Sequence, residues 1–390
     1  MKNTQFTSRV LKRHPKNHAR SMQVDTPHGT FTTPAFMPVG TRAVVNCMSA
    51  ADLKTAGSQI ILGGNTYHML CSPGMDLIQS AGGMHPFMAW DQPMLTDSGG
   101  FQVYSLSKNS KICRIDEKGA HFKHPISGQV VHLTPEQSIL AQKVIGADII
   151  MAFDQCTPDV ADKVLIEQIM QRTHRWLLES IDVHTRDSRS NYGLEQALFG
   201  IIQGGFYQDL REQSAAFICA QNLAGIAIGG ASIGFDMEKT REILQWVRPF
   251  LPEEKVRYTM GVGLSPQNLI DVVEQGVDIF DCVAPTRNAR HGALYCGSLI
   301  ESDGWLKFSG EEGGRILIKK QEYKNDFQAI MPGCDCHTCL NYTRAYLHYL
   351  FKEHQLAYYN LACTHNIRVM HKVCERMQVI IMQEDKLKTA

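Results

Sequence analysis

Short, uninterrupted apolar runs alternate along the chain with longer segments whose apolar residues recur at helical spacing. Eight such runs stand out: PAFMPV (34–39), QIILGG (59–64), PMLTDSGG (93–100), DIIMAFD (148–154), LFGIIQGG (198–205), GIAIGG (225–230), VRYTMGVG (256–263) and VDIFD (277–281). A continuous apolar run is what a strand shows when both of its faces are buried, and the helices between supply the crossovers that parallel pairing demands. The helices mark their own ends. Thr134 as N-cap, Pro135 at the first helical position and Gly146 as stop bracket TPEQSILAQKVIG, and Ser49 and Gly57 do the same for SAADLKTAG. Eight strand–helix units predict an α/β fold closed into a (β/α)8 TIM barrel. An open doubly wound sheet would want fewer strands and often a GxGxxG after the first, and none stands there.

Three stretches depart from this rhythm. The first 35 residues alternate polar and apolar positions around HPKNH and TPHG, the pattern of a small antiparallel meander. Residues 101–133 are too long for an ordinary loop and read as a strand-rich insertion with turns at DEKG and ISG. After Pro285 the periodicity lapses, until GCDCHTC introduces a helical C-terminus over roughly 340–382. The expected division is a barrel domain over 1–312 and a metal-binding subdomain with helices packed on the barrel over 313–390.

Composition narrows the function classes. With 44% apolar and 20% charged residues the chain matches an ordinary globular protein. No run approaches the ~18 apolar residues of a membrane span, and MKNTQFTSRVLKRH lacks the apolar core of a signal peptide. A cytoplasmic protein without a membrane partner is expected. Net charge is zero but unevenly placed: of 39 Lys+Arg and 39 Asp+Glu, residues 313–390 hold 11 and 7, leaving 28 and 32 in residues 1–312. That excess of about +4 behind and −4 in front is a sign of a nucleic-acid partner touching the C-terminal part.

Of the 12 cysteines, nine are scattered singly and read as reduced thiols. Cys334, Cys336 and Cys339 form C-x-C-x2-C, which brings three thiolates around one ion, and a tetrahedral zinc site needs a fourth ligand. His337, His348, His354, Cys363, His365 and His371 are candidates, and spacing does not choose among them. Four protein ligands would make the zinc structural.

A second constellation follows from the barrel, whose chemistry sits at the C-terminal ends of its strands. Those ends carry Asp97, Asp154, Gln203, Gly230, Met260 and Asp281. Asp97 and Asp154 could merely cap turns. Three carboxylates and an amide converging on one mouth instead suit a planar, hydrogen-bonding ligand and acid/base or nucleophilic chemistry. Phe101 and Met260 could clamp an aromatic heterocycle between ring and thioether. Arg287 and Arg290, in the loop TRNAR after Asp281, can reach phosphates.

The segments TDSGGFQV, FDQCTP, GIIQGG, AIGG, MGVG, FDCVAPTRNARHG and CDCHTC with a later THN resemble, in order, the signatures of bacterial tRNA-guanine transglycosylases, the queuine tRNA-ribosyltransferases. The likeness runs from about residue 5 to 382. It implies a zinc-containing barrel that exchanges guanine at the anticodon wobble position of G-U-N tRNAs (Asp, Asn, His, Tyr) for a 7-deazaguanine in queuosine modification. By the same resemblance Asp281 is the nucleophile and Asp97 the proton acceptor. Base binding falls to Asp97, Ser98, Gly99, Gly100, Phe101, Asp154, Gln203, Gly230 and Met260. RNA contacts fall to Gly261, Val262, Gly263, Leu264, Ser265, Pro266 and Gln267, and to Thr286, Arg287, Asn288, Ala289 and Arg290. The zinc ligands are Cys334, Cys336, Cys339 and His365, and the partners are the tRNA anticodon stem-loop, the 7-deazaguanine base and a second copy in a homodimer.

The chain also departs from that pattern. Where bacterial members read Leu-Ala-Val-Gly-Glu after AIGG, this chain has Ala231, Ser232, Ile233, Gly234 and Phe235. The missing glutamate is the one that accommodates the arm of 7-aminomethyl-7-deazaguanine, so the expected incoming base is either that one or the larger queuine. Cys156 is retained where queuine-using eukaryotic relatives have valine, GVGLSPQN is one residue longer than usual, and Ala284 and His291 differ from common choices. The alternative to an enzyme is a non-catalytic tRNA-binding partner subunit, which can lose the catalytic acids that this chain keeps.

Overall fold

Strand parity is what turns these apolar runs into a site. The computed structural model describes residues 5–125, 127–158, 162–231 and 233–383. An antiparallel sheet of β1 (Thr7–Arg13), β2 (Arg20–Thr26) and β3 (Gly29–Thr32) comes first, as expected of the meander. The barrel then begins with β4 (Ala35–Gly40), β5 (Ile61–Asn65) and β6 (Met94–Asp97). A small antiparallel sheet of β7 (Cys113–Ile115), β8 (Ala120–Lys123) and β9 (Val130–Leu133) interrupts it. It resumes with β10 (Ile149–Met151), β11 (Ala197–Ile202), β12 (Gly225–Ile228), β13 (Val256–Thr259) and β14 (Ile279–Cys282). Strand β14 pairs in parallel with β4, which closes an eight-stranded ring in sequence order.

Side chains on a strand alternate between its two faces. Met37, Leu62, Leu95, Met151, Phe199, Tyr258 and Ile279 point inward and share one buried cluster with Met22, Val24 and Phe31 of the meander, which plugs the N-terminal end of the ring. Their neighbours Phe36, Ile61, Met94, Ile150, Leu198 and Phe280 point outward into the cluster under the helices. Each such side chain contributes roughly 1.5–3 kcal/mol by leaving water. Counting on by two from the inward residues reaches Asp97, Gln203, Met260 and Asp281, so the C-terminal mouth is where the inward face turns polar.

The helix ends obey the local signals. Ser49 and Thr134 accept from the backbone N–H of Asp52 and Gln137 in reciprocal capping boxes, and Gly146 closes its helix at φ +77°. Elsewhere the structure corrects the expectation. The insertion opens with a helix, Gly100–Ser107, before its three strands. TRNAR lies in a short helix, Ala284–Arg290, with Pro285 in its first turn, and not in a loop. The C-terminal helical region is two helices, Arg344–Lys352 and Leu356–Met382, with His354 at φ +53° between them. The DEKG turn is present, Asp116 N–H donating to Gly119 O at 2.9 Å. Ile126 of the ISG turn lies outside the described residues. The long last helix buries Ile367, Met370, Val373 and Met377 in the same cluster as Phe36, Phe280 and Val272 of the barrel. No helix among the described residues is long and apolar enough to cross a membrane.

Candidate active site

A cavity of about 250 Å3 opens at the mouth of the ring, lined by residues from every barrel strand end named above. Asp97, Ser98, Gly100, Phe101, Asp154, Gln203, Gly230, Met260 and Asp281 all border it. Gly99 sits just behind as the N-cap of helix Gly100–Ser107 at φ +87°, its N–H donating to Asp97 Oδ1 at 3.0 Å.

Asp281 is held by two donors. Tyr258 O–H reaches Oδ1 at 2.6 Å and Gly261 N–H reaches the same oxygen at 3.2 Å, which leaves Oδ2 for the cavity. Burial raises the Asp281 pKa, while the two hydrogen bonds pull it back. Asp97 accepts from Asn65 Nδ2 at 2.5 Å on its other oxygen. Burial pushes its pKa up to about 7 against these hydrogen bonds, and the charge of Asp281 adds to the rise. Two largely desolvated carboxylates bordering one mouth thus hold protons more tightly than either would in water.

Beside Asp97, past the ends of the neighbouring strands β10 and β11, lies a shelf of amide and carboxylate. Gln203 Nε2 donates to Asp154 Oδ2 at 2.8 Å, and Gln203 Oε1 accepts from Thr157 O–H at 2.9 Å, which fixes the amide's orientation. Burial pushes Asp154 up to about 6, with the bonds from Gln203 and Ser98 opposing. Two glycines make the shelf possible. A Cβ on Gly100 would stand 2.2 Å from Asp154 Oδ1, and one on Gly230, at φ +141°, would stand 2.6 Å from Nη2 of the buried Arg211. Phe101, 53% exposed, and Met260 border the opening.

The segments expected to touch RNA divide. Gly261, Leu264 and Arg287 border the cavity. Val262, Pro266, Thr286 and Ala289 are buried, and a Cβ on Gly263 would meet Cys282 and Met370. Ser265 caps helix Pro266–Glu274, while Gln267 is committed to Asp271 and to the N–H of Phe308. Asn288 and Arg290 are half-buried on the helix that carries Arg287, Arg290 Nε donating to Thr286 O at 3.3 Å. Of the departures, Ala231, Ile233 and Phe235 border the cavity, and Ser232 lies outside the described residues. Sequence reasoning passed over Asn65 and Tyr258, whose only signal was their place at the C-terminal half of a barrel strand.

Among the metal candidates the fold chooses His365. Its Nδ1 lies 3.7, 3.5 and 3.3 Å from the Sγ atoms of Cys334, Cys336 and Cys339. All four ligand atoms fall within 4.8 Å of one another. Metal–ligand bonds of about 2.3 Å to sulfur and 2.0–2.1 Å to nitrogen at tetrahedral angles put sulfur and nitrogen roughly 3.5 Å apart, so the set fits a small tetrahedral ion. His365 Nε2 faces Tyr295 O at 2.8 Å and donates there, turning the Nδ1 lone pair toward the thiols. Three of the five rivals are engaged elsewhere: His348 with Ile318 O, His371 with Ser58 Oγ and Cys363 with Thr286 O.

Residues 15–389 match the family model described as queuine tRNA-ribosyltransferase. The chain is 43% identical over 379 residues to a queuine tRNA-ribosyltransferase of Lactococcus lactis subsp. cremoris, covering 97% of this chain and 93% of that one. It is 44% identical over 371 residues to that of Herpetosiphon aurantiacus (95% and 88%), and 43% identical over 378 residues to that of Listeria monocytogenes serovar 1/2a (97% and 93%). The cavity with its three carboxylates and the Cys3His cluster thus belong to a chain that aligns with these relatives over 95–97% of its length. The chain belongs to the queuine tRNA-ribosyltransferase family, a family of pentosyltransferases.

Proposed function

We propose that the protein replaces guanine at the wobble position of G-U-N anticodons, in tRNAs for Asp, Asn, His and Tyr, with a 7-deazaguanine through a covalent enzyme–RNA intermediate. The observation that carries this is Asp281, anchored through Oδ1 by Tyr258 and Gly261 and sharing one cavity with Asp97. Oδ2 attacks the anomeric carbon, forming a C–O bond as the C–N bond to guanine breaks. The departing nitrogen keeps the bonding pair and takes a proton from Asp97, whose pKa burial pushes up to about 7. The incoming base returns that proton to Asp97, its nitrogen attacks the same carbon, and the bond to Asp281 breaks. Two displacements retain configuration, as in retaining glycosidases.

To reach Asp281 the nucleotide must leave the anticodon stack. Asp154 and Gln203 read its edge, Gly230 gives the backbone room, and Phe101 and Met260 flank its faces. Arg287 at the rim, with Arg290 one turn on, holds the RNA phosphates; Gly261 and Leu264 add contacts at the mouth. Cys334, Cys336, Cys339 and His365 would hold Zn2+, a closed set with no open position, which ties the long C-terminal helix to residues 334–339, on the far side of helix Arg344–Lys352 in the chain. Exposed Leu340, Tyr346, Tyr349 and Leu356 give the C-terminal helices an apolar surface that supports a homodimer.

Phe235 favours queuine as the incoming base. It borders the cavity at 66% exposure, and among the described residues the only carboxylates lining that cavity are Asp97, Asp154 and Asp281. A cationic aminomethyl arm finds no further acid among them, whereas a bulkier arm can lie on the ring.

The test is intact mass spectrometry of the denatured protein after incubation with substrate tRNA. The wild type shows a mass increase equal to the RNA less guanine, and Asp281→Asn shows none. Persistence of the adduct in Asp281→Asn would move the nucleophile to another residue.

A further inference from the structure

The plugged end of the barrel holds a second cavity that base exchange does not use. It measures about 430 Å3 and is lined by Arg13, His14, His18, Arg20, Arg248 and Arg257, together with Asn17, Ala19 and Glu253. Four guanidinium groups and two imidazoles face one carboxylate. Its size falls in the range of small-ligand pockets, about 300–1,000 Å3.

The charges are not balanced from within. Among the described residues Asp278 is the one fully buried acid nearby, and it is committed to Arg20, accepting from Nε at 2.9 Å and from Nη2 at 2.6 Å. Arg20 spends its other donors on the carbonyls of Glu253 and Lys255. Glu253 is 64% exposed and already holds Arg13 at 2.6 Å, with Arg257 at 3.5 Å. Arg257 is only 4% exposed. Its Nη2 finds the carbonyls of Leu251 and Pro252 at 3.2 and 3.4 Å, and its buried Nε meets no acceptor among the described residues. Arg248 has a single side-chain partner among them, the neutral Gln275. A desolvated guanidinium whose Nε lacks an acceptor, and whose only paired carboxylate among the described residues is the exposed Glu253 that it shares with Arg13, is costly unless an anion completes the set.

We infer that this cavity is a binding site for a phosphate-type oxyanion, either free phosphate or the phosphoryl end of a small phosphomonoester. The guanidinium fork of Arg257 suits two phosphoryl oxygens, with Arg248, Arg13 and His18 placed around them. The remaining volume is room for the body of a phosphomonoester. Burial, and then Arg248 and Arg257, lower the pKa of His18, which accords with a site built around cations. The tRNA mouth lies at the opposite end of the strands: Arg257 stands at the start of β13 and Met260 just beyond its end. The oxyanion site is therefore separate from the exchange reaction.

Thermal unfolding of the full-length protein at rising inorganic phosphate, or rising AMP, tests it against sodium chloride at equal ionic strength. A ligand that binds only the native state raises Tm along a saturable curve. The wild type is expected to show that curve. Arg248→Gln, a half-buried position with one side-chain bond, and Arg257→Lys, which keeps the charge but loses the fork, are each expected to weaken the apparent affinity at least tenfold. Both should exchange guanine in tRNA at the wild-type rate. AMP binding tenfold tighter than phosphate identifies a phosphomonoester, and equal affinity identifies phosphate itself. No saturable curve, a curve that sodium chloride reproduces, or one that both variants retain would overturn the site. So would a parallel fall in tRNA affinity, which would make it an RNA contact.

Discussion

Tyr258 donates its O–H to Asp281 Oδ1 at 2.6 Å across the β13–β14 pair, from the inward face of one strand to the inward face of the next. The bond fixes which oxygen of Asp281 is engaged and lowers the cost of its negative charge. Hydrogen bonds to charged groups contribute about 1.5–3 kcal/mol, so Tyr258→Phe is expected to lower kcat by roughly 10- to 150-fold with KM for tRNA little changed. Steady-state exchange of labelled guanine into tRNA measures it. An unchanged kcat would make the bond purely architectural.

Exchange should depend on pH through Asp97. Its folded pKa is raised to about 7, so the carboxylate needed to accept the incoming proton is depleted below that value. The kcat/KM of the incoming base is expected to rise with pH through about 7 and level off above it. Asp154, raised to about 6, steepens the fall on the acid side. In Asp97→Asn the limb near 7 should vanish along with most of the rate, leaving only weak residual turnover.

Base choice should follow Phe235. In Phe235→Glu a carboxylate enters the rim of the cavity, where a cationic arm gains an opposite charge and a bulky arm loses an aromatic face. The ratio of kcat/KM for 7-aminomethyl-7-deazaguanine over queuine is expected to rise about tenfold, worth about 1.4 kcal/mol. Competition between the two bases for one tRNA reads this directly. An unmoved ratio would take Phe235 out of base selection.

Metal content should track the C-terminal helices. The wild type is expected to carry one zinc per chain by elemental analysis, and Cys339→Ser to lose it. Because ligand binding free energy is folding free energy at such sites, several kcal/mol of stability should go with it, lowering Tm by about 5 °C or more. A zinc-free variant that melts like the wild type would show that packing of Leu356–Met382 suffices.

Stability toward acid should report on Asp148, at the plugged end. Burial alone would raise its pKa, but the hydrogen bond from His28, at 2.8 Å, and the His85 ring 3.5 Å away outweigh it and hold it at about 2. A depressed folded pKa stabilises above the unfolded value near 3.9 and is lost as pH falls through about 2. Asp148→Asn is expected to cost roughly 2.5 kcal/mol at pH 7, because each tenfold change in proton affinity between the folded and unfolded chain is worth about 1.4 kcal/mol. Denaturant titration should show that gap closing as the pH falls from about 4 to 2.

The sequence by itself determined the ring and the outline of its mouth. Strands buried on both faces must be apolar throughout, so their number was countable, and Asp97, Gln203 and Asp281 stood where those runs end. The three clustered cysteines were equally plain, because a chelate needs its thiolates close in the chain. Tertiary structure decided the rest. Asp278 and Asp281 lie three residues apart, yet opposite parity and opposite ends of one strand send the first to Arg20 and the second to the cavity. Asn65 and Tyr258 became partners of the acids only through pairing between strands, which no local pattern encodes. The seven-residue helix Ala284–Arg290 is too short to stand on propensity; Asn366 and Tyr358 of the last helix hold its Pro285 and Ala289 carbonyls. His365, remote in sequence from the cysteines, was selected among six candidates because the fold alone points its Nδ1 at all three. Contacts between distant segments depend on how whole elements pack, and the residues that make them carry no mark of it in their own neighbourhood.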